Sequence, residues 1–204
     1  MKNLASILGL ATLATSVIAA PLTFDFKDPK GVNNAVFKLD APLEAIQGSA
    51  NGISGTVTFD PASPATTQGK ITVATKTLQV PNPLMKEHLD GAQWMDVAKF
   101  PEIVFELKRL SNVTTSGDTT TADVTGALTV KGVTKEVTTK ATATYLKDKL
   151  SARSNGQMQG DLLVLRTNFT IKRSDYGINP GAPQDKVADT IDLSLSIAGF
   201  SKRP

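Results

Sequence analysis

The 204-residue sequence has no cysteine, a single histidine and few aromatic residues, 5% in all. The missing cysteines exclude a disulfide scaffold, a thiol nucleophile, a zinc–thiolate site and an iron–sulfur cluster. One histidine, His88, excludes a multi-histidine metal site. Charged residues make up 20% of the chain and the net charge is only +3, so nucleic acid is not an expected partner. No G-x-S-x-G elbow, Walker A loop, dinucleotide fingerprint or H-E-x-x-H motif occurs. The expectation is a protein that is not an enzyme, with no metal and no cofactor. Length and apolar patterning suit one folded domain, not a disordered chain.

The first twenty residues stand apart. Met1-Lys2-Asn3 gives a short positive start, Leu4 to Ala14 is apolar or small, and the stretch ends Val17-Ile18-Ala19-Ala20. This is the pattern of a secretory signal peptide over 1–19, cleaved after Ala19 or at 20. The apolar run is shorter than the roughly 20 residues of a membrane span, so no stable span is expected. A retained anchor is the alternative. Export implies a periplasmic or secreted protein, with residues 21–204 as a single domain.

The remainder is rich in threonine, which favours strands. Period-two alternation recurs. Ile103, Phe105 and Leu107 alternate with polar neighbours, as do Val124, Leu128 and Val130. The same holds for Leu163, Leu165, Phe169 and Ile171, for Ile191, Leu193, Leu195 and Ile197, and for Val57 and Phe59. One apolar and one polar face mark an antiparallel sheet wetted on one side. Between Ile71-Val73 and Leu78-Val80 the parity changes. Either a β-bulge between Thr75 and Thr77 or the meeting of two short strands accounts for it. Turns are marked at Asp60–Pro64, Ser116–Asp118, Lys131-Gly132 and Asn179–Pro183. Eight to ten strands without a linker fit a closed barrel or a sandwich. An eight-stranded barrel is just wide enough to be filled by side chains or to hold one small ligand. Small inward positions (Gly126, Ala141, Ala143, Thr75 and Thr167) favour a cavity.

One segment departs from strand patterning. Asn82-Pro83 reads as an N-cap followed by the proline favoured at a first helical position. Met85, His88, Leu89 and Ala92 then recur at helical spacing, Gly91 suits the helix end, and Trp94–Val97 suits a further turn. A second dense cluster, Lys172–Ile178, follows the strongest strand. Arg173 and Asp175 could lock the strand end as a charge pair, or Arg173 and Tyr176 could meet a ligand's polar head at a barrel mouth.

Several stretches, in order, resemble the YceI-like family of exported bacterial proteins. They are Gly52–Asp60, His88-Leu89 leading to Phe100–Phe105, Val124–Lys135 and Arg173–Ile178. The resemblance implies an all-β fold, an antiparallel eight-stranded lipocalin-like barrel with a short helical insertion. It also implies a long isoprenoid chain or isoprenoid quinone held inside, and no catalytic residue set. Many members have a histidine in the strand preceding the Gly52–Asp60 stretch, whereas Ala35–Asp40 has none. On barrel patterning and resemblance together, the expected ligand is an isoprenoid or other long-chain lipid, bound by a monomer or homodimer. Its apolar lining would be Leu89, Trp94, Met95, Phe100, Phe105, Leu128, Phe169 and Ile171, under the helical insertion as a lid. His88, Arg173 and Tyr176 would meet the head group. A lipid-acting hydrolase or isomerase using His88 and a filled, ligand-free structural or stress-response barrel are the alternative readings.

Overall fold

A computed structural model of the chain describes residues 20–203. The proposed leader over 1–19 lies outside the described residues. Ten strand segments form one closed antiparallel sheet: β1 (Leu22–Asp25), β2 (Asn34–Asp40), β3 (Ala45–Ala50), β4 (Ile53–Phe59), β5 (Gln68–Ala74), β6 (Glu102–Ser116), β7 (Thr119–Val130), β8 (Val133–Leu146), β9 (Gly160–Lys172) and β10 (Thr190–Lys202). The hydrogen-bonded order is β1-β4-β5-β6-β7-β8-β9-β10-β2-β3, with β1 also pairing β10. β1 and β2 pass β10 in the same direction, at Asp25↔Phe200 and Asn34↔Ser196, so they are two parts of one bent strand. β4 pairs β1 and β3 pairs β2, which makes β3 and β4 the next bent strand. The result is an eight-stranded up-and-down barrel, closed all round but with β8 and β9 paired over only part of their length.

The segment between β1 and β2 shows how the ladder survives the bend. Opposite it, the backbone of Ala198 would lack partners. The side-chain amide of buried Asn33 supplies them: its Oδ1 accepts from the Ala198 N–H at 2.9 Å, and its Nδ2 donates to the Ala198 and Phe26 carbonyls at 3.1 and 3.2 Å. One asparagine thereby satisfies buried main-chain groups that would each cost about 1–3 kcal/mol unpaired. Asp28 holds the same loop. Its carboxylate accepts the N–H groups of Lys30, Val32 and Asn33 at 3.1, 2.7 and 2.7 Å and lies 3.4 Å from Arg153. Burial would raise its pKa. The three backbone bonds and Arg153 outweigh that and hold it below the ordinary carboxylate value.

Two apolar plugs occupy the barrel ends. The first gathers Phe24, Phe26, Ile53, Val57, Phe59, Ile71, Leu163 and Ile197. Phe26 fits because Gly199 opposes it; a Cβ there would lie 2.6 Å from the ring. The second gathers Ala50, Leu78, Met95, Leu128, Val130, Tyr176 and Ile178.

The helical insertion forms as its sequence signals require. Helix α1 spans Pro83–Asp90; Asn82 caps it, its side chain accepting from the Met85 N–H at 3.1 Å, and Gly91 ends it. The parity change before it is resolved by a single 3-10 turn over Thr75–Thr77. The strand resumes afterwards in one bridge, Ser49↔Gln79. The Lys131-Gly132 turn has φ of +49° and +75°, the paired positive values of a tight two-residue hairpin. Lys131 reaches from it to the carbonyls of Gln93 and Gly177 at 2.9 and 3.0 Å, tying the insertion to the loop after β9. Among the described residues, no helix is long and apolar enough to cross a membrane.

Candidate ligand-binding cavity

Between the plugs lies a cavity of about 580 Å³. This is within the range of about 300–1,000 Å³ typical of small-molecule sites. Its wall follows the period-two pattern. β7 contributes Ala122, Val124, Leu128 and Val130, β9 contributes Leu163, Leu165, Thr167, Phe169 and Ile171, and β10 contributes Ile191, Leu193 and Leu195. The barrel is not filled, and the reason is local. Thr120 and Ala122 on β7, Thr139, Ala141 and Ala143 on β8, and Thr167 on β9 form a patch of small inward residues across three adjacent strands. Gly126, predicted to add to the void, instead seats a large ring: a Cβ there would fall 2.3 Å from Phe105. Thr75 is fully buried and bonds the Phe100 carbonyl at 2.8 Å.

The hydroxyls in this wall are largely used internally. The ladder between β8 and β9 ends at Ala141↔Thr167, although both strands continue. At that fork Thr139 and Thr167 hydrogen-bond each other at 2.9 Å. Thr167 donates to the Lys140 carbonyl at 2.9 Å, and Thr139 approaches the Asn168 carbonyl at 3.1 Å. A water of about 30 Å³ in liquid needs two to four polar partners, so this interior suits hydrocarbon better than water.

Of the predicted lining, Leu89, Trp94, Met95, Phe105, Leu128, Phe169 and Ile171 all border the cavity. Phe100 does not; its ring covers the Lys131-Gly132 turn, where a Cβ on Gly132 would lie 2.6 Å from it. The predicted head-group residues separate. His88 stands exposed and borders the cavity beside Asn82 and Leu84 of the insertion. Arg173 also borders it, but is only 1% exposed. Its guanidinium donates to the carbonyls of Ile178, Asn179, Val187 and Ala188 and lies 5.7 Å from the Trp94 ring centre. Burial lowers its pKa, against the pull of Asp189. The expected Arg173–Asp175 lock is thus replaced by a carbonyl cage, with Asp189 as the facing carboxylate. Asp189 in turn accepts from the Ser174 N–H and hydroxyl, both at 2.8 Å. Tyr176 is 2% exposed inside the second plug and is not a cavity residue. It sits in a 3-10 turn, where strand periodicity gives no direction to a side chain.

Lining that strand patterning missed comes from the N-terminal third: Ala35, Phe37 and Leu39 on β2, and Ile46 and Ala50 on β3. Leu78 and Val80, beyond the 3-10 turn, join them. The Ala35-Phe37-Leu39 alternation was the available signal. Residues both exposed and bordering fall in two groups: Glu44, Asn82, Leu84 and His88 beside the insertion, which mark the mouth, and Val36, Arg166 and Ser194 on β2, β9 and β10. Among the described residues, no group of three or more His, Cys, Asp or Glu could hold a metal ion.

The model of one protein family, the YceI-like domain, matches residues 24–198. A UPF0312 protein of Pseudomonas putida (strain GB-1) is 31% identical over 159 residues, covering 78% of this chain and 75% of its own. Among solved structures, Burkholderia cenocepacia BcnA superposes with a TM-score of 0.62 at 20% identity, over 81% of this chain and 94% of its own. A polyisoprenoid-binding domain from Saccharophagus degradans, implicated in plant cell wall breakdown, gives a TM-score of 0.64 at 9% identity, over 89% and 99%. At these identities the structural likenesses establish the shared barrel fold.

Proposed function

The chain belongs to the YceI-like family, and from that premise we propose that it is a lipid-binding protein that holds an isoprenoid-type amphiphile, a polyisoprenoid or an isoprenoid quinone, in its barrel. The observation that carries this reading is the apolar cavity of about 580 Å³ left open by the small-residue patch on β7–β9. Burial of apolar surface at about 25 cal/mol per Å² drives binding and needs no catalytic group. The chain enters between the plugs, and the polar head stays at the mouth beside His88, Asn82 and Glu44. The polyisoprenoid-binding domain that shares this fold supports the ligand class. With the 1–19 leader, the protein works in the periplasm or outside the cell, in transport, storage or stress response. The reading as a hydrolase or isomerase is weaker, because His88 is exposed at the rim.

Mass spectrometry of organic extracts from purified protein tests the proposal. The expected result is an isoprenoid lipid recovered near one per barrel. Repeated extracts without any lipid would refute it.

A further inference from the structure

We propose that Leu43 and Leu84 form an apolar wedge that sets the mouth of the cavity against the surface of a lipid bilayer. Both leucines are exposed, at 65% and 60%, as is Val32 at 58%, but Val32 does not border the cavity. Leu84 also borders the cavity, so it marks the opening itself; Leu43 immediately precedes Glu44, which borders it too. They come from different elements, the β2–β3 turn and the first turn of α1, and each follows a proline, Pro42 and Pro83.

Their exposure is built in. The Leu43 N–H donates to the Asp185 carbonyl at 2.8 Å, and the Ala41 N–H donates to the Glu44 carbonyl at 3.0 Å. Leu84 is fixed by the Asn82 cap. Held apolar side chains on a surface mark an interaction site.

The occupant follows from continuity with the cavity, and this step rests on the lipid-binding reading above. A chain that fits an apolar cavity has its reservoir in a bilayer, not in water. Glu44 borders the cavity and the Asp185 carbonyl accepts from Leu43, with Lys186 following Asp185 in the chain, so the charged residues beside the leucines are of both signs. The contact is therefore apolar, and needs no anionic head groups.

The test uses the purified full chain and phosphatidylcholine vesicles carrying a fluorescent probe with an isoprenoid tail. The uptake rate is followed against vesicle concentration. Direct docking predicts a rate that rises in proportion to vesicle concentration. Leu43→Glu should lower it about tenfold while leaving equilibrium binding of probe added from ethanol unchanged, since Leu43 does not line the cavity. Leu43→Trp should restore the rate, because tryptophan suits the membrane interface. A rate independent of vesicle concentration would overturn the inference, as uptake would then proceed through free probe in water. A normal rate in Leu43→Glu would overturn it as well. Failure to bind probe even from ethanol would overturn the cavity reading, and this inference with it. That outcome is distinct from intact binding with slow or undirected loading.

Discussion

Replacing Ala141 with phenylalanine should move stability and affinity in opposite directions. Ala141 points inward at the centre of the small-residue patch, opposite Ala122 on β7 and Thr167 on β9. A phenyl group adds six carbons to the alanine methyl and takes space that a ligand chain would fill. Loss of five or six methylene contacts at about 0.8 kcal/mol each amounts to about 4–5 kcal/mol, or about a thousandfold in Kd. Without ligand, the same ring occupies open apolar space and should stabilise the barrel by about 1 kcal/mol. Probe titration reads the first quantity and urea unfolding of delipidated protein reads the second. Unchanged affinity together with lowered stability would show that the ligand does not lie against β8 and that the site has no room, which would refute the reasoning.

Further outcomes follow from the same geometry. The chain has two tyrosines. Tyr145 is pushed up to about 12 by burial and by its bond to Asp161, and Tyr176 is raised by burial. Near-ultraviolet absorbance should therefore show neither ionising near the ordinary value of about 10 while the protein is folded; a tyrosine titrating there would contradict the packing. Asp28, held below the ordinary carboxylate pKa, stabilises the fold above about pH 4, and that contribution is lost as pH falls through its lowered folded value. Asp28→Asn should cost stability at neutral pH and flatten the acid limb of the unfolding profile; an unchanged profile would remove Asp28 from the account. Gly126→Ala should destabilise by about 1–3 kcal/mol, because its Cβ would meet Phe105 at 2.3 Å and the Glu106 carbonyl at 2.6 Å. An unchanged unfolding midpoint would show that this wall can yield.

Periodicity made the long strands legible, and with them most of the cavity. Phe105, Leu128, Phe169 and Ile171 face inward because a strand leaves a side chain two choices and one was apolar. The insertion was legible for a different reason: Asn82, Pro83 and Gly91 each meet a local backbone requirement that no distant contact has to supply. Features set by long-range packing were less accessible. Phe100 follows no strand rule and is drawn to a turn 32 positions away that only the folded barrel brings near. Tyr176 and Arg173 sit in a turn; Tyr176 is buried by the second plug, and Arg173 by carbonyls at Val187 and Ala188 that approach from beyond an irregular loop. The Asn33 amide that mends the ladder at Ala198 lies 165 residues from its partner and carries no local signature. The two exposed leucines gain meaning only when the mouth of the cavity is found beside them.

The central claim is that an isoprenoid chain lies inside the barrel against the small-residue patch. Photocross-linking with an isoprenoid carrying a diazirine along its tail, mapped by tandem mass spectrometry, tests it most directly. Adducts should concentrate on inward positions of β7, β8 and β9, around Ala122, Ala141 and Thr167. Adducts confined to outward positions of those strands, or spread over the surface, would contradict it.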